Sequence, residues 1–302
     1  MTERVLRWLA DGALNLPLPG CGATAARWRG LAALAEADLV AGRLAEAHAD
    51  AVAILAELGG AAAQPGQLWG VWAAESPDSA LTVDAADMVL DGVKPWCSGA
   101  GLCTHALVTA RRPDGNRALY AVAVTDPAVR PLPATWSNPG MAGSDTRSVQ
   151  FTQAPAVAVG EPGEYLSRPG FWYGAIGVAA CWLGGARAVA APLYRKAADD
   201  HALAHLGAVD AALTAAEAVL AAAATQVDGA ADPADAELVA RRARAVVEHA
   251  VDEVITRTGR ALGPGPLCLD AEHAQRVADL TVYVRQSHAE RDLAALGRVA
   301  RR

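Results

Sequence analysis

Leu90-Asp91-Gly92-Val93-Lys94-Pro95-Trp96-Cys97-Ser98-Gly99-Ala100, followed closely by Thr104-His105-Ala106-Leu107-Val108-Thr109-Ala110, decides how this chain is read. Ala106–Ala110 is an apolar run of strand length. Asp91-Gly92 before it is a turn signal, as are Pro113-Asp114-Gly115 and Asn138-Pro139-Gly140 after it. Leu68–Ala73 and Leu119–Val124 repeat the pattern. Ser148–Val159, with apolar Val149, Phe151, Val157 and Val159, closes it. Short strands with frequent turns over residues 65–165 predict a central β-sandwich or small barrel.

Both flanks change character. Residues 1–64 read as a short helical region: Arg27–Leu58 is rich in Ala, Leu and Glu, with Leu31, Leu34, Leu39, Leu44, Ile54 and Leu58 as apolar positions. Gly59, Gly60, Pro65 and Gly66 end it. Residues 166–302 are helical again. Leu206, Leu213, Leu220 and Val227 recur with heptad spacing, and Val209, Ala216 and Ala223 fill in the seam of a packed helix. Asp228-Gly229 and Asp232-Pro233 break the chain before Glu237. In the next helix Val239, Ala243, Val246, Val247, Ala250 and Val254 share one face, and Arg241, Arg244 and Glu248 another. Gly263-Pro264-Gly265-Pro266 precedes a last helix, Ala271 to Val299. The sum is an α+β chain ending in a four-helix bundle.

Pro169–Ala186 carries no charge over about the minimum length of a membrane span. Its Gly and Ala content, and Arg187, Arg195 and Lys196 close behind, make it a buried, tightly packed helix rather than a span. Arg4, Arg7 and Asp11 interrupt the first apolar stretches, so no secretory signal is read there. With 302 residues, 53% of them hydrophobic and 20% charged, the chain has enough apolar material for a substantial core. A net charge of −7 without a Lys/Arg cluster excludes a nucleic-acid partner. Cys21, Cys97, Cys103, Cys181 and Cys268 show no CxxC spacing, which suits reduced thiols in a cytoplasm rather than disulfides or a metal site.

Four segments in order resemble the acyl-CoA dehydrogenase superfamily. Gly92 to Ser98 is similar to that family's Gly-x-Lys hairpin followed by Trp, one residue, and Ser or Thr. Trp69-Gly70-Val71-Trp72-Ala73-Ala74-Glu75 looks like the strand and loop that pass the flavin edge. Gly140-Met141-Ala142-Gly143-Ser144-Asp145-Thr146, then Val149-Gln150-Phe151, resembles the Gly-x-Arg-x-Ser turn and final strand. Leu262-Gly263-Pro264-Gly265 with Ala278-Asp279 resembles the Gly-Gly-x-Gly turn and Arg-Asp pair of the last helices. The resemblance spans residues 67–299, with the N-terminal helical part cut to roughly half the family's length.

The resemblance implies a flavin, FAD with FMN as the alternative. Trp96 would lie against the ring, Ser98 would hydrogen-bond to it, and the backbone at Ala73 and Ala74 would reach its edge. Gly263 and Gly265 would let the backbone approach cofactor phosphates or adenosine from a neighbouring subunit; stiffened by Pro264 and Pro266, they serve equally as a helix-breaking turn. A homodimer or homotetramer acting on a small molecule, an acyl thioester among the candidates, follows from the same likeness. The chain departs from the family at the catalytic base. Tyr283 and Val284 occupy its usual place, and no Asp or Glu occurs from Ser167 to Ala198, where other members carry it. The Arg-x-x-Phe-Gly grip on cofactor phosphates is missing near His201–Gly207.

At about 100° per residue the face of Val277, Leu280 and Val284 continues to His288 and Arg291, with Asp292 beside it. A ring titrating near neutrality beside a guanidinium can handle protons or bind an anionic intermediate. His288-Ala289-Glu290-Arg291-Asp292 is similar to the His-x-x-His-Asp stretch of flavin-dependent monooxygenases on this fold, with Arg291 replacing the second His. Three functions therefore stand open: a divergent dehydrogenase-type flavin oxidoreductase, a monooxygenase-like enzyme using His288, and a non-catalytic paralogue serving as a binding module or structural partner.

Overall fold

The structure is a computed structural model and describes residues 2–75, 81–84, 88–229 and 235–301. Three helices open the chain: α1 (Thr2–Ala10), α2 (Thr24–Ala37) and α3 (Leu39–Glu57). The long run from Arg27 to Leu58 is broken at Asp38, whose backbone is extended. Its carboxylate accepts the Ala41 N–H at 3.0 Å, which caps α3. Asp228, at the far end of the chain, caps α2: it accepts from the Thr24 N–H at 2.9 Å and the Thr24 hydroxyl at 2.6 Å.

Eight strands follow: β1 (Trp69–Trp72), β2 (Leu81–Asp84), β3 (Val89–Cys97), β4 (His105–Arg111), β5 (Arg117–Ala123), β6 (Val129–Pro131), β7 (Arg147–Pro155) and β8 (Val157–Val159). They form one hydrogen-bonded sheet in the order β6-β7-β3-β2-β4-β5-β8, with β1 paired in parallel to β4. The Pro113-Asp114-Gly115 turn joins β4 to β5, which pair antiparallel from Arg111↔Arg117 to His105↔Ala123. Asp91-Gly92, expected as a turn, lies inside β3 instead. There the pairing with β7 shifts register between Leu90 and Gly92, and Gly92 takes φ +119°; the Asp-Gly pair makes a bulge rather than a reversal.

The second half is helical: α4 (Glu164–Ser167), α5 (Pro169–Lys196), α6 (Asp200–Asp228), α7 (Ala236–Leu262), α8 (Gly265–Leu269), α9 (Ala271–Tyr283) and α10 (Glu290–Ala300). The expected break at Asp232-Pro233 lies outside the described residues. Val209, Leu213, Ala216, Leu220, Ala223 and Val227 of α6 are buried, as the seam required, while Leu206 at its start is only partly buried. Along α7 the expected face is shifted. Val246 is exposed, while Ala240 and Val251 are buried beside Val239, Ala243, Val247, Ala250 and Val254. Its supposed polar face is not free either. Arg244 stands 4.5 Å over the Trp182 ring and donates to the Ala175 carbonyl at 2.8 Å, Arg241 stands 4.9 Å over Trp172, and the Glu248 side chain is 13% exposed.

Among the described residues, α5 and α6 are long and apolar enough to cross a membrane, but the apolar window of α5 is 83% buried within the protein. Gly184 explains the close packing: a Cβ there would stand 2.1 Å from the Ala32 carbonyl oxygen of α2. The chain groups into two compact units. One comprises residues 1–15, 44–137 and 142–171, with Ile54, Leu55, Trp69, Leu107, Leu119 and Val159 at its core. The other comprises residues 16–43, 138–141 and 172–302.

Candidate functional site

Pro95 shapes the centre of the candidate site. Lacking an N–H, it cannot hold the ladder, and the pairing of β3 with β7 shifts register between Lys94 and Cys97. The chain recovers at Trp96, which takes φ +60°, a left-handed conformation rarely adopted by a bulky residue. Its indole is thrown outward and is 59% exposed. Trp136, on the connection after β6, meets it edge to face with ring centroids 6.2 Å apart at 88°.

Two residues on, Ser98 is half-buried and held from both sides. The Trp72 indole N–H donates to its carbonyl at 3.0 Å, and its hydroxyl lies 3.0 Å from the Thr146 hydroxyl, which lies 2.8 Å from that of buried Ser144. The loops carrying these groups are stitched together. Gly99 N–H donates to the Ser144 carbonyl at 2.7 Å, and Gly101 N–H to the Asp145 carboxylate at 2.9 Å.

Ala73 and Ala74 leave the end of β1, Ala73 partly buried and Ala74 exposed. The bond from Trp72 to Ser98 brings this strand end to the Trp96–Ser98 segment. A buried ammonium fixes it further. Lys94, 3% exposed, donates to Glu75 Oε1 at 2.9 Å, to the Thr109 carbonyl at 2.9 Å and to the Thr109 hydroxyl at 2.7 Å, which satisfies all three of its protons. Burial pushes the Lys94 pKa down and Glu75 opposes it. For Glu75, burial opposes ionisation, but Lys94, Thr109 and Arg117 outweigh it and hold the carboxyl below its ordinary value. This lock was not anticipated, although a lysine on the inward face of β3 signals a buried partner. Cys97, next to the site, is buried, and burial raises its thiol pKa, so it is no nucleophile.

The remaining expected residues belong to the helical unit. Gly263 ends α7 with φ +66° and ψ −165°, a conformation open only to glycine, so the turn itself explains it. Nothing stands within 4 Å of a Cβ placed at Gly263 or Gly265, which leaves the backbone there approachable. The continuous last helix expected from Ala271 to Val299 is broken. Its α-helical part stops at Tyr283, a 3-10 turn covers Val284–Gln286, and Ala289 takes φ +45° before α10 begins at Glu290. His288 and Arg291 therefore do not continue the face of Val277, Leu280 and Val284. Ser287, buried, bonds at 2.5 Å to Glu248 of α7 and fixes the break. His288 is 57% exposed, its Nδ1 3.7 Å from Asp292 Oδ2, and Arg291 is exposed.

Ala278-Asp279 does real docking within this unit. Asp279 is buried and accepts the Met141 N–H at 2.6 Å and the Gln275 amide at 2.9 Å; burial raises its pKa above the usual carboxylate value. A Cβ at Gly140 would stand 2.2 Å from the Ala278 carbonyl oxygen, so the glycine permits the contact. The same unit has a cavity of about 210 Å³ lined by Trp28, Ala32, Leu183, Arg187, Glu217 and Leu220, none of them an expected site residue. No group of His, Cys, Asp and Glu suited to a metal occurs among the described residues.

No protein-family model matches the sequence, and no curated protein is similar to it. Solved structures do match. Butyryl-CoA dehydrogenase from Megasphaera elsdenii aligns with a TM-score of 0.83 at 16% identity, over 99% of this chain and 90% of that one. KijD3 in complex with FMN and a dTDP-linked amino keto sugar gives 0.81 at 17% identity, over 98% and 85%. TdsC from Paenibacillus sp. A11-2, in complex with FMN and indole, gives 0.76 at 18% identity, over 89% and 82%. At these identities the likeness is one of fold. The chain therefore has the acyl-CoA dehydrogenase fold, as its four motifs implied.

Proposed function

We propose that this chain is a flavin-dependent oxidoreductase, with FMN or FAD held on the β-sheet unit by the Trp96 indole, the Ser98 hydroxyl and the backbone at Ala73 and Ala74. The observation that carries the reading is the outward, strained and exposed Trp96 beside an ordered hydroxyl, on a fold whose solved examples include FMN complexes. An exposed indole face suits a planar heteroaromatic ring, and a hydroxyl suits its polar edge. Gly263 and Gly265 would accept phosphate-bearing parts of the cofactor, in a symmetric homodimer or homotetramer. When bound, the flavin supplies two-electron redox chemistry to a small-molecule substrate.

In this reading no protein carboxylate removes an α-proton from the substrate. Tyr283 and Val284 fill one place for it with buried side chains, and α5 offers no Asp or Glu. A second reading follows from the exposed His288: a monooxygenase-like enzyme in which this imidazole, steadied by Asp292 at 3.7 Å, handles a proton. Five free cysteines agree with a reducing, cytoplasmic setting for either.

The test is the visible spectrum of the purified protein, then equilibrium dialysis against FMN and against FAD. Bound flavin in the native protein or after dialysis is expected. A protein that stays colourless with both leaves the non-catalytic reading, and a monodisperse monomer in light scattering removes the oligomer.

A further inference from the structure

The three hydroxyls of Ser98, Thr146 and Ser144 form a line whose protons can be counted. The steps are 3.0 Å from Ser98 to Thr146 and 2.8 Å from Thr146 to Ser144, and these hydroxyls have no other hydrogen-bond partner among the described residues. Each can give one proton and accept two. If Ser98 donates to Thr146 and Thr146 to Ser144, the Ser144 proton is left without an acceptor at a residue only 3% exposed. That costs the desolvation of a buried donor. If both serines donate to Thr146, each O···O line already holds a serine proton, so the threonine proton has neither serine to go to, and the mutual polarisation of a one-way chain is lost. In the remaining arrangement Ser144 donates to Thr146 and Thr146 donates to Ser98. The spare proton then sits on Ser98, at the half-exposed end beside Trp96.

We infer that Ser144 and Thr146 are positioning residues that turn Ser98 into a hydrogen-bond donor, so that the site prefers an acceptor on the edge of an oxidised flavin ring over the reduced ring. The inference rests on the flavin reading. Reduction places a proton on a ring nitrogen that was an acceptor, and a donor facing a donor loses the bond. The preorganised orientation is what Thr146 contributes, since Ser98 without it would rotate freely among its staggered wells.

The experiment is anaerobic titration of FMN and FAD, oxidised and reduced, into the full-length protein and its variants. Thr146→Val is expected to weaken oxidised flavin about 3–10-fold and to leave reduced flavin within about twofold. Thr146→Ser should restore the wild-type ratio, which a purely structural role for the side chain would not predict. Ser98→Ala, a half-exposed position less exposed to folding failure, should show the same collapse of the oxidised-to-reduced ratio. An unchanged ratio in Thr146→Val or in Ser98→Ala overturns the inference and leaves the flavin reading standing. A wild-type protein that binds neither flavin overturns both.

Discussion

Acid should loosen the sheet unit through one histidine. His48 of α3 is 5% exposed, and its Nδ1 accepts the Trp69 N–H at 3.2 Å, at the start of β1. That bond requires the neutral ring with its proton on Nε2. Burial lowers the pKa of His48 from 6.5 to about 4. The sign follows from linkage. The unfolded chain takes up the proton as pH falls through 6.5, while the folded chain resists until about pH 4. Folding stability is thus full above the unfolded value and declines as pH falls toward the folded one. At about 1.4 kcal/mol per pH unit, the total loss is about 3 kcal/mol. Urea unfolding of the wild type and of His48→Asn, from about pH 7 to about pH 4, isolates this contribution, since the Asn carbonyl keeps an acceptor near the Trp69 N–H without titrating. The carboxylates titrate alike in both proteins. The wild type should therefore lose about 3 kcal/mol relative to the variant over that range. Two curves that stay parallel down to about pH 4 would refute the assignment of a buried neutral imidazole.

Further substitutions test the frame. Lys94→Met strands the Thr109 carbonyl and leaves Glu75, itself 31% exposed, with weaker partners; a loss of about 2–3 kcal/mol is expected, partly recovered in the double variant with Glu75→Gln, as a lowered and then raised urea midpoint. Gly184→Ala drives a methyl to 2.1 Å from the Ala32 carbonyl oxygen and should cost about 2–3 kcal/mol, whereas Gly207→Ala, with nothing within 4 Å in the same kind of helix, should stabilise by about 0.5–1 kcal/mol. Asp279→Asn keeps an acceptor for Met141 but removes a carboxyl whose pKa is raised by burial; the ionised form is penalised above its folded pKa and relieved as pH falls toward 3.8, so the wild type should gain on the variant in that direction.

The α+β class and the order of helices, strands and helices were legible because strand runs, turn residues and helical periodicity agree along most of the chain. Disagreement came where a local signal has two outcomes. Asp91-Gly92 supplies the same backbone freedom to a turn and to a bulge, and only the pairing of β3 with β7 selects the bulge. Apolar spacing runs on past Tyr283, but the bond from Ser287 to Glu248 ends the helix, and that partner lies on another element. Periodicity also assigns Arg241 and Arg244 to water, because it cannot see that indoles of α5 await their guanidinium planes. At the candidate site, Trp96 and Ser98 were proposed from their motif. The ordering of Ser98 by Thr146 and Ser144, and the Lys94–Glu75–Thr109 lock, were not, because they join segments far apart in sequence.

The two groups of expected residues differ in what would account for them. A left-handed backbone at a bulky residue costs about 1–3 kcal/mol, and an indole that stays 59% exposed returns only part of the burial it could give a core. Packing alone is a poor reason for that arrangement, while an occupant that covers the ring on binding is a sufficient one. His288 itself makes no such demand, the positive φ of its turn falling on the small Ala289. It is exposed, its backbone N–H is satisfied by Asp292 at 3.0 Å, and the turn that carries it is explained by Ser287 and Glu248. The sheet unit thus carries the stronger claim to ligand binding and His288 the weaker claim to proton handling. The two separate in one titration: Trp96→Leu should weaken flavin binding by at least about tenfold through loss of the ring contact, and His288→Ala should leave binding unchanged whichever reaction the flavin performs.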